Sequence, residues 1–367
     1  KKMAERTRRR SMADQVKKTS RSAVRKTKEI QSDILSPTVS TMLNLACSDN
    51  PEAGWRCGTM VNLIGDSSSG KSFNALSMFA ECAQLPRFDD YIFIYDDVES
   101  ASEFDISYLF GDKTEARIQP PNIDSEGMPI YSDVVEDFHC NLIDRLDAGF
   151  PFIYVLDSAD ALDAAADQKK VEEMREARKK NKDTAGSYAM AKPKVFSAIL
   201  RQICNRLKKS NSFLLIISQT RDNIDPRSFS KKTRSGGKAL KFYATHEIWM
   251  AMSKPHTKKD RIIGVDSKLK ITKNKLTGKR RECQFPIFYD YGIDDIGSCI
   301  DFMVYEKYWT KKKLTIIAEG LKIEGTRAAL IKQIEEKGLE KKLRKHVGRA
   351  WRQIEDSLKL NRKSKYA

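Results

Sequence analysis

Eight residues constrain this chain more than any other feature: Gly65-Asp66-Ser67-Ser68-Ser69-Gly70-Lys71-Ser72 fit the phosphate-loop pattern G-x-x-x-x-G-K-[ST]. The flanks supply the context that the pattern requires. Thr59-Met60-Val61-Asn62-Leu63-Ile64 is a short apolar run that reads as a buried strand, and Phe73–Ala80 has helical spacing. Strand, glycine loop and helix together let backbone N–H groups curl around phosphate oxygens, with the helix N-terminus adding partial positive charge. The pattern assigns Lys71 to the β- and γ-phosphates of ATP and the Ser72 hydroxyl to Mg²⁺.

The remaining strand signals set the fold class. Apolar runs at 59–64, 91–96, 152–157, 213–218, 245–251, 268–273 and 284–289 alternate at first with helical patterns, then follow one another closely. That order predicts an α/β fold with a doubly wound, mainly parallel sheet, extended by hairpins. Residues 1–37 read as a basic arm with a helix, 38–305 as the core, and 306–367 as a small, mostly helical, basic domain with amphipathic stretches at 326–334 and 341–358. The charged segment Gln168–Asp183 reads as a solvated helix or a mobile loop, with mobility favoured.

Charge is placed unevenly along the 367 residues. The net +17 arises from residues 1–30 (+9) and 341–367 (+8), while 31–340 cancel. A neutral centre with basic ends predicts polyanion capture by the tails. The longest apolar run, Phe213–Ile217, is too short to span a bilayer, so no membrane partner is expected. No secretory signal pattern is visible, and seven scattered cysteines with four histidines predict neither a disulfide framework nor a zinc site. A reducing cytoplasm is the expected compartment.

Two further strand ends carry chemistry. Phe152–Ser158 is an apolar strand that closes on Asp157, a position suited to ordering the Mg²⁺ shell near Lys71. Tyr95-Asp96-Asp97-Val98-Glu99 closes another strand with three acids, any of which could polarise an attacking water. Gln219 ends the strand 213–218 with a neutral amide able to sense a γ-phosphate and inform the loop that follows.

With these motifs in order, the chain resembles the RecA family of DNA strand-exchange recombinases, of bacterial or phage type. Ser235-Gly236-Gly237-Lys238-Ala239-Leu240-Lys241-Phe242-Tyr243-Ala244 is similar to the family's T-G-G-N-A-L-K-F-Y-A, and Lys270–Lys275 is similar to its V-V-K-N-K. The resemblance covers roughly 38–305 and implies a RecA-like ATPase core. It selects Glu99, in Asp97-Val98-Glu99, as the base that activates water. Gln219 becomes the γ-phosphate sensor, Lys273 and Lys275 the lysines that reach the next subunit's ATP, and Phe242 an aromatic that couples subunits. Residues 220–235 become the second DNA-binding loop, with Ile224 as a wedge between bases. Arg221, Arg227, Lys231, Lys232 and Arg234 supply charge there, Gly236 and Gly237 allow a close approach to phosphate, and Lys194 and Arg201 fall at backbone-contacting positions.

The implied activity is a DNA-dependent ATPase that forms helical filaments on single-stranded DNA and exchanges strands with a duplex. ATP and Mg²⁺ are the implied cofactors, and a bacterial or phage-infected cytoplasm is the implied setting. A RecA-fold helicase or translocase, and a regulatory filament without strand exchange, are the rival readings. Three departures stand out. Asp66-Ser67 replaces the family's usual Pro-Glu, a change expected to matter little because these positions contribute backbone. The adenine pocket has no clean match, since Glu103, Phe104 and Asp105 are offset. The C-terminal tail is basic where bacterial members usually carry acid, which predicts weaker autoinhibition.

Overall fold

Strict alternation of apolar side chains builds a sheet buried on both faces. Phe213, Leu215 and Ile217 pack with Val61, Leu63, Phe93 and Val155 on one face, while Leu214 and Ile216 join Met60, Ile94 and Tyr154 on the other. The computed structural model describes residues 34–100, 104–180, 191–222, 232–234 and 237–362; the side chains of 222, 234, 237 and 238 are outside the description.

The sheet strands are β1 (Met60–Gly65), β2 (Ile92–Asp97), β3 (Ile118–Gln119), β4 (Phe152–Asp157), β5 (Phe213–Asp222), β6 (Lys232–Arg234), β7 (His246–Lys258), β8 (Arg261–Asn274), β9 (Glu282–Phe288) and β10 (Gly292–Ile293). Their order is β10-β9-β8-β7-β1-β5-β4-β2-β3, and β6 pairs β5 off this path. From β7 through β3 every pairing is parallel, and β7, β8, β9 and β10 form the antiparallel extension. This is the predicted mainly parallel sheet with hairpins added. Helices α1 (Thr41–Ser48), α2 (Lys71–Ala83), α3 (Val135–Ala148), α4 (Ala165–Lys179), α5 (Ala191–Ser210), α6 (Gly237–Tyr243), α7 (Asp295–Tyr305), α8 (Arg327–Glu336) and α9 (Glu340–Ser357) complete the frame. Phe73, Leu76 and Phe79 of α2 cover one face, and Phe138 and Leu142 of α3 with Phe196 and Leu200 of α5 cover the other. Each such side chain contributes about 1.5–3 kcal/mol on burial.

The segment from 306 places α8 and α9 on the expected amphipathic stretches at 326–334 and 341–358, and adds what was not expected: β11 (Thr310–Lys312), β12 (Thr315–Ala318) and β13 (Ile323–Gly325) form an antiparallel sheet beside them. Strands of three or four residues are too short to register a period. Trp309, Ile316, Leu330, Leu343 and Val347 of this segment also join the apolar cluster of α1 and α2, so its core is continuous with the rest. Lys279 and Arg281 on one side and Asp49 and Glu355 on the other form an ion-pair network that ties α9 to the end of α1. Of the two readings of the charged segment, a solvated helix or a mobile loop, the less favoured is the one found: α4 runs to Lys179 with no buried residue. Its run of Gln, Lys, Glu, Met and Arg favours helix without packing.

His246 opens β7, opposite Val61, and is fully buried. Burial pushes its imidazole down to about 4, outweighing the Cys47 carbonyl and Asn274 beside it. Because the folded value lies below the unfolded one, stability is lost as pH falls from about 6.5 to about 4, where the unfolded chain takes a proton that the fold refuses. Urea unfolding at pH 7 and pH 5 should therefore show about 2 kcal/mol more acid-induced loss in wild type than in His246→Gln. Equal losses in the two proteins would contradict this reading.

Candidate nucleotide site and its hairpin

β1 delivers its last residue, Gly65, to the carboxyl edge of the sheet, and α2 begins at Lys71. Two glycines are dictated by space. A Cβ on Gly65 would lie 2.5 Å from the Met250 carbonyl oxygen and 2.6 Å from Ser69 Oγ. Gly70 has φ +88°, and a Cβ there would lie 2.7 Å from Ile287 Cδ1. Between them Ser69 Oγ is buried with no hydrogen-bond partner. Lys71 is buried, and its Nζ donates to the carbonyls of Gly65 (2.9 Å) and Asp66 (2.6 Å). Burial lowers its pKa, while the carboxylates of Asp157, Glu99 and Asp66 work against that shift.

Period-two geometry sorts the three acids that close β2. Tyr95, Asp97 and Glu99 face the cavity beside the loop, whereas Asp96 points to the opposite face. There Asp96 is fully buried and accepts hydrogen bonds from Ser132 N (2.9 Å), Ser132 Oγ (2.6 Å) and Tyr154 Oη (2.6 Å). Asp96 is thereby removed from the choice of base. Asp157 closes β4 beside Lys71 and Ser72, and Tyr95 Oη donates to its Oδ2 at 2.8 Å. Burial raises the Asp157 pKa despite the Ser72 and Tyr95 hydroxyls.

Glu99 Oε1 accepts from Ser158 Oγ and from Gln219 Nε2, the latter at 2.8 Å. The backbone N–H of Gln219 donates to Asp160 Oδ2 at 2.5 Å. The acid chosen by resemblance thus touches the amide chosen as sensor. Asp160 carries no sequence signal because it lies beyond the strand that ends at Asp157, where no pattern marks it.

The cavity of about 460 Å³ is lined by Lys71, Ser72, Glu99 and Asp157 at its polar end. Phe104, Val265, Ile287 and Tyr289 supply an apolar wall. Phe104 is offset from the family pattern and Tyr289 carries no sequence signal, yet both place aromatic rings in the cavity lining. Glycines that a Cβ would disrupt, an orphaned Ser69 hydroxyl and a lysine in a cavity lined by three acids fit a nucleotide phosphate chain with a divalent ion.

The loop's second residue contributes more than backbone. The Asp66 side chain is not idle: Oδ1 accepts from Thr220 Oγ1 and Oδ2 from Lys232 Nζ. These contacts hold the Asp66 carboxyl below its ordinary range. Thr220 and Lys232 lie on the two strands, β5 and β6, that form the base of a hairpin, paired Arg234↔Thr220, Thr233↔Arg221 and Lys232↔Asp222. Lys232, assigned to DNA on sequence, has its ammonium on Asp66.

Of the other residues assigned to DNA, Arg221 is exposed near the base of this hairpin, and Lys194 and Arg201 are exposed two turns apart on α5. Arg201 Nε donates to Tyr243 Oη at 3.4 Å. Arg234 ends β6 and Gly237 begins α6. Ile224, Arg227, Lys231 and Gly236 lie outside the described residues.

Lys273 and Lys275 are not among the residues lining the cavity. Lys273 Nζ donates to the carbonyls of Lys241 and Phe242, and Lys275 Nζ to that of Phe242 at 2.9 Å. Both ammonium groups therefore sit at the carboxyl end of α6, where the helix dipole favours cations. Phe242, in the last turn of α6 beside these two lysines, is 70% exposed.

A family model described as the RecA N-terminal domain matches residues 10–294. Over 280 residues the chain is 26% identical to Protein RecA of Acinetobacter baylyi, covering 76% of this chain and 72% of the relative. Protein RecA of Colwellia psychrerythraea is 26% identical over 284 residues, covering 77% and 74%. Protein RecA of Allochromatium vinosum is 26% identical over 267 residues, covering 72% and 69%.

Proposed function

The chain belongs to the RecA family, and on that premise we propose that it is an ATP-dependent DNA recombinase that assembles on single-stranded DNA and promotes strand exchange. The observation that carries this reading is the Glu99–Gln219 hydrogen bond. It joins the hydrolytic carboxylate to the residue from which the 220–234 hairpin springs, so one contact belongs to both the nucleotide cavity and the candidate DNA element.

In this reading Lys71 and the loop amides hold the ATP phosphates, and Ser72 with Asp157 would hold Mg²⁺, which neutralises charge on the phosphate oxygens. Glu99 takes the proton of the attacking water, held in place by Ser158 and Gln219. Phe104 and Tyr289 would pack against the adenine. Lys273 and Lys275 act across a subunit seam, which is supported by their place outside this chain's own cavity. The exposed Phe242 lies next to them and belongs to the same seam. Arg221, Lys194 and Arg201 contact the DNA backbone, and each phosphate neutralised steepens the salt dependence by about 0.7 log units per log unit of salt on single strands.

The test is a displacement-loop assay with homologous single strand and supercoiled duplex, run with ATP and with a non-hydrolysable analogue. Joint molecules in both conditions, with release only in ATP, are expected. Unwinding without pairing would instead support a motor, and DNA binding without joint molecules a regulatory filament.

A further inference from the structure

The Asp66 carboxylate lies outside the chemistry described above, yet it spans two elements that the activity must coordinate. Its residue belongs to the phosphate loop, and its own carbonyl oxygen accepts from Lys71 Nζ at 2.6 Å. Its side chain accepts from Thr220 Oγ1 and Lys232 Nζ, one donor on each strand of the hairpin stalk. Both partners of the ion pair are 47% exposed, so the pair adds little to folding stability. A contact of low stabilising value that bridges two functional elements is suited to being made and broken.

We infer that Asp66 is a positioning residue that couples the phosphate loop to the DNA hairpin, in parallel with the route through Gln219. The inference rests on the reading proposed above. An anion that recruits the Lys71 ammonium competes for it with the Gly65 and Asp66 carbonyls. The peptide released is the one that carries the Asp66 carboxylate, and that carboxylate fixes the spacing of Thr220 and Lys232. The stalk is thereby informed of loop occupancy from the side opposite Gln219.

Labelled oligo(dT) anisotropy tests this, with magnesium–ATPγS and without nucleotide, on wild type, Thr220→Val, Asp66→Ala and the double variant. Nucleotide should tighten DNA binding in wild type, and each single variant should reduce that tightening about 3- to 10-fold. The double variant should lose no more than Asp66→Ala alone, because the alanine already removes the acceptor of the Thr220 hydroxyl. Thr220→Val should keep wild-type affinity for a fluorescent ADP analogue, a result that separates coupling from collapse of the site. Full tightening in either single variant, additive losses, or parallel loss of ADP affinity in Thr220→Val would overturn the link and leave the recombinase reading standing. Wild type that binds DNA equally with and without nucleotide would overturn both.

Discussion

Replacing Glu99 by Gln should lower ATP turnover about 100- to 10,000-fold while leaving nucleotide and DNA binding in place. The substitution keeps the shape and the carbonyl oxygen that can accept from Ser158 and Gln219, and removes only the ability to take a proton. If hydrolysis is what loosens the grip on DNA, the variant should form complexes with ATP that persist after dilution, where wild type dissociates. Phosphate release and anisotropy after dilution measure both halves. Turnover within a few fold of wild type would move the base to Asp97, the other acid of β2 on the cavity face.

Removing Lys273 and Lys275 together should cost a comparable factor, about 1,000-fold in DNA-stimulated turnover, as expected for cations acting across an interface. Nucleotide binding to the free chain should survive, because neither side chain lines its own cavity. Their alanine substitutions also expose the carbonyls of Lys241 and Phe242, so thermal unfolding must accompany the assay. A mixing experiment separates the roles. Glu99→Gln supplies intact lysines, and the double variant supplies an intact base, so a mixture should regain turnover that neither has alone. No recovery from folded, co-assembling partners would contradict action in trans.

Contiguous features are legible in the amino-acid order itself. Phosphate loop, strand-terminal Asp157 and the apolar run Phe213–Ile217 each fall within a few residues, where composition and spacing act directly. Strand ends are less legible wherever burial gives out. β7 and β8 run to Lys258 and from Arg261, beyond the expected 245–251 and 268–273, because the outer half of their hairpin is mostly solvated and shows no consistent apolar alternation. Sheet topology decides the rest. Tyr289 reaches the cavity from the turn after β9, and Asp66 meets Lys232 across 166 positions. Sorting Asp96 from its neighbours requires knowing that both faces of β2 are covered, since an exposed back face would leave all three acids free.

The central claim is that a triphosphate held near Glu99 and Gln219 controls whether the chain assembles on extended DNA. Negative-stain electron microscopy of the purified chain on poly(dT), with and without magnesium–ATPγS, tests it most directly. Continuous helical filaments that appear only with nucleotide are predicted. Unchanged monomers in both samples, or closed rings with nucleotide, would contradict it.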